Sequence, residues 1–431
     1  MKALTKLPPR SSILLPSGVR FCCRLVGLIL MATLVLSGAI LAGPNIRDFS
    51  DTRVGNWSLD SSGGFAVVAG EEQKKLHFAY WTKDRLNYSR SLDGGKTWSD
   101  PVPIAGSIRM AALAVDRQER VHVAYATTSH ELHYRSYSAG VWGDPVNLTA
   151  GIDGGRVTTV GPRLAIDGND NVHLLYWSVW RSGDPNWRKG SRAVYCYKRA
   201  GSDRFDAPQL WANQPNTPGG YGKHGALSAD AQGNMHLFYL TGDRAADGKI
   251  LSAIERRIRR TDGTWDPSHD VWPLKDDLCD WSLAAALDRL DVVHLSAHRR
   301  VSREGAEIVY LNNRNNPGAL VEVHNAGFEP WESWTDILVE PAGDVWIATA
   351  HKTDTPDKPD EFGARGSYYR YNANEGRWTA RILLPAKDDA NLDSRNYSHP
   401  RLIRFNGKVH LFYARKDNGV FHHYMRRFDG P

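Results

Sequence analysis

The sequence predicts an all-β protein: a seven-bladed β-propeller closed by an N-terminal strand on its last blade. Three observations lead there. A unit of two short strands recurs seven times, its second strand carries bulky groups on both faces, and the last copy has no outer strand of its own.

The repeat is clearest in "LAVDRQERVHVAYA" (113–126), "LAIDGNDNVHLLYW" (164–177), "LSADAQGNMHLFYL" (227–240) and "AALDRLDVVHLSAH" (285–298). Weaker copies are "VVAGEEQKKLHFAYW" (67–81), "LVEPAGDVWIATAH" (338–351) and "LIRFNGKVHLFYAR" (402–415). The anchoring residues His77, His122, His173, His236, His294, Trp346 and His410 lie 45, 51, 63, 58, 52 and 64 residues apart, which suits one four-stranded sheet per copy. Within a copy a small apolar strand meets an Asp/Gly turn, and the second strand alternates, with His122 on one face and Val121, Val123 and Tyr125 on the other. A strand covered on both faces belongs in sheets that stack radially; a half-wet sheet would alternate with charges. A third aromatic strand and a turn ending in a large ring follow, as in "LNYSRSLDGGKTW" and "YYRYNANEGRW".

The first 42 residues stand apart. Lys2, Lys6, Arg10, Arg20 and Arg24 precede an apolar run from Leu25 to Ala42 with no acidic residue, the layout of an export signal. Cleavage after Ala39 or Ala42 and retention as a membrane anchor both fit this run. Residues 43–431 then form a single domain, expected to be secreted or periplasmic and monomeric. The net charge of +6 falls to near +1 without the leader, which argues against a nucleic-acid partner. The body keeps only Cys196 and Cys279, whose pairing stays open, and no metal-type cysteine spacing or cofactor motif is present. A structural calcium is left open.

In the last copy the chain ends after strands expected at 402–405, 409–415 and 420–427. "RVGNWSL" (53–59) has no other assignment, so it is expected to pair onto that blade and remove both free edges.

The spacing Ser91-x-Asp93-x-Gly95-x-Thr97-Trp98 resembles the Asp-box, or BNR repeat, of sialidase-like propellers. The unit pattern and its His/Arg-rich rim resemble the seven-bladed propeller polysaccharide lyases of the ulvan-lyase type, by pattern over nearly all of the body and not by an exact active-site motif. The resemblance implies that the box is a structural turn on the blade periphery. It also places a ligand funnel at the entry to the innermost strands and the loops after the second strands.

The ladder histidines lie inside second strands and are read as satisfied core groups. Departures from the repeat at the funnel are the site candidates. His224 in "GGYGKHG" precedes an innermost strand, His298 and His351 end second strands, and His399 opens the seventh copy. Arg109, Arg163, Arg244, Arg299, Lys352 and Arg415 are expected at equivalent rim positions, as an anion site or as solvated loop ends. Trp81, Trp177, Trp281 and Trp334 are expected either to stack on sugar rings or to cap the core. The long stretches 178–192, 299–307 and 352–367 are expected as rim loops.

By resemblance, the first functional reading is a lyase that cuts a uronic-acid-containing polysaccharide. Tyr221 and His224 would be base and acid, and Arg163 or Arg244 would neutralise the uronate carboxylate. Arg109, Trp177, Trp281, His298, Arg299, His351, His399 and Arg415 would bind substrate. A sialidase or other glycoside hydrolase ranks below it because "SIRMAA" (107–112) lacks the proline of the sialidase motif; Asp280 and Glu332 would then be the carboxylates. A carbohydrate-binding propeller without turnover is the third reading.

Overall fold

A computed structural model describes residues 51–55, 64–70, 75–82, 84–150, 157–180, 191–211, 225–244, 250–276, 278–300, 306–315, 321–329, 332–355, 358–379, 382–383, 400–417 and 420–428. The leader, 1–42, lies outside them. The strands form seven antiparallel sheets, and in each the first strand of the repeated unit lies at one edge. These inner strands are Phe65–Ala69, Ile108–Val115, Val157–Ile166, Gly225–Ala229, Leu278–Leu287, Glu332–Val339 and Arg401–Phe405. Each lies against the inner strand of the next blade, and the seventh returns to the first, so the sheets close into a ring around an axis.

The packing follows the two-faced strands. Apolar clusters lie between successive blades: Leu86, Tyr88 and Ile104 against Val121, Val123 and Tyr125, for instance, and Trp177 and Tyr195 against Leu237 and Tyr239. Cys196 is a buried free thiol in one such cluster, its pKa pushed up to about 12 by burial, so the disulfide with Cys279 does not form.

The anchoring histidines build a repeated hydrogen-bonded unit. In the Asp116 turn, Oδ1 accepts the backbone N–H groups of Gln118 and Arg120 at 3.0 and 2.8 Å, while Oδ2 receives His122 Nε2 at 3.1 Å. Tyr134 Oη on the third strand closes the chain to His122 Nδ1 at 2.6 Å. The carboxylate at Nε2 selects the Nε2–H tautomer and leaves Nδ1 to accept the phenol proton. Asp167–His173–Tyr195 and Asp288–His294–Tyr310 repeat the unit. In blade 4 Arg256 replaces the phenol, its Nη2 donating to His236 Nδ1 at 2.6 Å. Blade 1 borrows Glu119 from the blade 2 turn, and in blade 6 Trp346 Nε1 donates to Glu340 at 2.8 Å. The sequence expectation of satisfied core histidines holds in these blades.

The Ser91–Trp98 turn joins the third and outer strands of blade 1. Asp93 accepts from Ser91 Oγ, Thr97 N and Thr97 Oγ1 at 2.8, 2.9 and 2.6 Å, and Ser91 Oγ accepts Gly95 N–H at 2.7 Å. Gly95 has φ of 88°, and a Cβ there would meet Met425 at 2.7 Å, so only glycine serves. Trp98 folds edge-on to Phe78, 5.6 Å between ring centres, beside Phe405 and Phe412. The turn therefore clasps blade 1 to blade 7.

Blade 7 takes its outer strand from the N-terminal end: Thr52 and Arg53 pair with Met425 and Tyr424. The expected segment began at 53; pairing begins at Thr52, and 56–59 lie outside the described residues. Asp51 grips Arg426 through two hydrogen bonds of 2.8 and 2.9 Å, and Val54 N–H donates to His423 O at 2.8 Å. The stretch expected as a rim loop at 352–367 is instead a hairpin: Val345–Thr355 and Lys358–Asn372 stay paired out to Thr355 and Lys358, because the second and third strands simply extend. Likewise 178–180 and 191–192 are strand, and so are 299–300 and 306–307.

Two outcomes test this architecture. Burial, reinforced by the Arg256 charge, lowers His236 from 6.5 to about 4, so the unfolded chain takes up a proton that the folded ring refuses. Its contribution is complete above pH 6.5 and lost as the pH falls toward 4. Burial favours the neutral acid at Asp116 and Asp167, but their hydrogen bonds prevail and hold both near 2, adding a second loss below pH 3.8. The thermal midpoint should be level above pH 7 and fall from pH 6.5 downward; a level midpoint to pH 4 contradicts the assignment. Separately, Asp51→Ala removes the carboxylate that accepts two hydrogen bonds from Arg426, a side chain only 7% exposed. It should cost on the order of 3 kcal/mol in chemical denaturation.

Candidate functional site

The inner strands carry the chemistry nearest the axis. Counting from the residue paired with each anchoring side chain, the position two earlier is Ala66, Ala112, Arg163, Ala226, Ala284, Asp336 or Arg401. Four blades thus present a methyl group and three a charge. Arg163 Nε donates to Gly225 O of the next inner strand at 3.0 Å, and its Nη1 to Pro162 O at 3.2 Å. Asp336 Oδ2 accepts Leu402 N–H at 2.8 Å, and Arg401 Nη1 lies 3.8 Å from Asp336 Oδ1.

Arg163 belongs to blade 3, whereas Asp336 and Arg401 belong to blades 6 and 7 on the far side of the ring, so their interaction runs across the axis. Burial pushes Arg163 down to about 10, with repulsion from Arg401 adding to it and attraction to Asp336 opposing it. Burial also raises Asp336 above the ordinary carboxylate range against the pull of both arginines. Yet 25% of the Arg401 side chain and 18% of that of Asp336 remain open to solvent.

The other candidates lie at several depths. Arg109 sits at a bulge between Ile108 and Met110, exposed, with Nη1 2.9 Å from His130 Nδ1. Arg299 and Arg415 lie five residues beyond their anchoring histidines, at the level of Arg109; Lys352 lies one further and Arg244 closes its strand three further. Arg163 is about three residues deeper, ~10 Å at strand rise. The six cations expected at equivalent positions are therefore a correction: three share one level, because strands of unequal length carry the rest up or down. Trp81 and Trp177 are 6% and 1% exposed, so both cap the core and neither offers a face to a sugar.

The inner strands of blades 2, 3, 5 and 6 all carry a register break on the entry side of the ring. Asp280 and Trp281 fall in the break of blade 5, and Trp334 in that of blade 6. Such bulges re-aim side chains and are frequent beside active sites. His298 is not the end of its strand: it pairs with Ile308, and the strand runs to Arg300. His351 pairs with Glu332, and its strand runs to Thr355. Tyr221, His224 and His399 lie outside the described residues. Among the described side chains, Arg163 is the one candidate brought to the axis. Asp336 and Arg401 were missed, although a charge two residues before the anchoring pair, in an otherwise small apolar strand, was visible in the sequence.

Gly225 both receives Arg163 and abuts the core. A Cβ there would meet Phe238 O at 2.3 Å and Trp177 at 2.7 Å. Gly225→Ala should lower stability by on the order of 3 kcal/mol and redden tryptophan fluorescence as Trp177 is displaced; unchanged stability and emission would contradict this packing.

No protein-family model matches the chain, and no curated protein is similar to it. Among solved structures, the chain is similar to a PL25 polysaccharide lyase described as an ulvan lyase bound to -[GlcA(1-4)Rha3S]-. The two share a TM-score of 0.56 and 10% identity over 87% of this chain and 94% of that one. The same lyase described without that ligand gives a TM-score of 0.56 and 10% identity over 85% and 95%. A protein of unknown function from Dyadobacter fermentans follows, at 0.49 and 12% over 89% and 99%. At these identities the likeness is one of fold: the chain is a seven-bladed β-propeller of the shape shared with that lyase.

Proposed function

We propose that this protein is a polysaccharide lyase that cleaves a uronic-acid-containing glycan by β-elimination, exported by its leader. The observation that carries the reading is the pair of guanidiniums at the axis, Arg163 and Arg401, on a propeller shaped like a lyase whose bound sugar contains a uronate. A carboxylate beside C5 makes that proton removable only when its charge is neutralised, and a guanidinium does this without a metal.

In the proposed reaction a base takes the C5 proton, the C–H electrons form the C4=C5 double bond, the C4–O bond breaks, and an acid protonates the departing oxygen. Tyr221 and His224 are assigned as base and acid. His224 is the residue before Gly225, whose carbonyl holds Arg163, so the chain joins the proposed acid directly to the anchor of the proposed neutraliser. Arg244 stands at the outer end of its strand, three residues beyond the level of Arg109, Arg299 and Arg415, and is the weaker choice. Arg109, with His130, is placed where the polymer crosses the rim.

Incubation with uronate polysaccharides decides between the readings. Far-ultraviolet absorbance of an unsaturated uronate supports the lyase; reducing ends without it point to hydrolysis, with Asp280 and Glu332 as the carboxylates; retention without product points to a lectin. His224→Ala should lower turnover by at least about a hundredfold with the thermal midpoint unchanged. Full activity in that variant removes His224 from the mechanism.

A further inference from the structure

Six blades follow a rule on their third strand that the seventh breaks. Opposite the position four residues beyond the anchoring side chain stands Leu86, Leu132, Ala193, Ile254, Ile308 or Gly366, but in blade 7 it is His423. His423 is 1% exposed, and its ring lies against Phe65, Phe78 and Tyr80 of blade 1, at 5.1, 5.0 and 5.8 Å between centres. His122 has a carboxylate on one nitrogen and a phenol on the other, whereas neither nitrogen of His423 has a hydrogen-bond partner among the described residues. A neutral imidazole carries one donor and one acceptor, so both go unmet, a cost that the aliphatic residues of the other blades avoid. The His423 carbonyl accepts Val54 N–H at 2.8 Å. One residue therefore fastens the closing segment with its main chain and fills the seam between blades 7 and 1 with its side chain.

We propose that His423 is an acid-sensitive latch: on taking up a proton it opens the seam between blades 7 and 1 and frees the Thr52–Arg53 strand before the other blades yield. An imidazolium at this place has nothing to balance it. On its own strand His422 opposes a second positive charge, and the second strand of blade 7 sets Ala414 opposite it. On the closing segment Arg53 is a cation, and the Asp51 carboxylate is held by Arg426. Blade 1 offers Phe65, Phe78 and the phenol of Tyr80, which burial pushes up to about 12 and so keeps neutral. Burial, with the His422 charge adding to it, lowers His423 from 6.5 to about 3, and an opened seam returns it to 6.5. The seam's stability from a neutral His423 is therefore complete above pH 6.5 and is lost, about tenfold in the opening constant for each pH unit, as the pH falls toward 3. His236 differs in place and in consequence: it is bonded inside blade 4 by Asp230 and Arg256 and meets solvent only when that blade unfolds.

Hydrogen–deuterium exchange of the full chain between pH 7.5 and 4.5, read by mass spectrometry and corrected for the intrinsic pH dependence of exchange, tests the proposal. Peptides covering 51–55 and 420–428 should lose protection about tenfold between pH 5.5 and 4.5, while Met235–Arg244 of blade 4 keeps its protection over the same labelling times. His423→Leu places in blade 7 the residue that blades 1 and 2 carry there, so the variant should fold, and its seam peptides should keep the same protection from pH 7.5 to 4.5. Parallel loss at the seam and in blade 4 overturns the latch from the unaltered protein alone. An acid slope that survives in His423→Leu overturns it as well, because the proton would then be taken up elsewhere.

Discussion

The fold depends on a carboxylate at the hairpin turn gripping an imidazole on the second strand. One oxygen of Asp116, Asp167, Asp230 or Asp288 ties two backbone N–H groups of its turn, and the other takes the ring nitrogen six residues later. That one side chain sets the turn shape, the strand register and the tautomer together. The imidazole then passes the constraint to the third strand through a tyrosine in several blades. A sheet pinned in this way presents flat apolar faces on both sides, and the ring assembles from such faces.

The resulting scaffold explains why acid, base and phenol side chains at hydrogen-bond distance here are not themselves a reactive site. The Asp167–His173–Tyr195 chain has the partners of a proton relay, yet it is buried beneath its own blade, and burial lowers His173 while raising Tyr195. A relay that recurs around a ring gives rigidity. The repeat is broken at the inner strands, where three charges stand at a position that is otherwise alanine. Burial weakens the charge on Arg163 and on Asp336 alike, and arginine, which remains a cation even near 10, tolerates it better than a carboxylate.

The blade number, the strand order and the core role of the histidines were legible because each is repeated, and repetition makes a hydrophobic pattern readable even where single copies such as blade 1 are weak. Closure was legible because a missing strand at one end had a spare segment at the other. The rim was not. Strand length varies between blades, so spacing from an anchoring histidine misjudged Arg163 as a neighbour of Arg299 and Arg415, and the extended hairpin through Thr355 and Lys358 resembled a loop in its proline and charge content. Asp336 and Arg401 escaped because they were sought among loop ends, whereas they lie within regular strands. Trp177 had two readings that composition alone could not divide; its burial between blades divides them.

The ring is not joined alike all the way round. Six sheets are each spun from one continuous stretch of chain, but the seventh takes its outer strand, Thr52 and Arg53, from a segment far from its other three in the sequence. Exchange of segments between copies therefore has a single donor and a single acceptor, the short edge strand of one molecule and the vacated sheet of another. Because donor and acceptor differ, such exchange runs head to tail, and it yields closed circles or open filaments according to the angle between successive molecules.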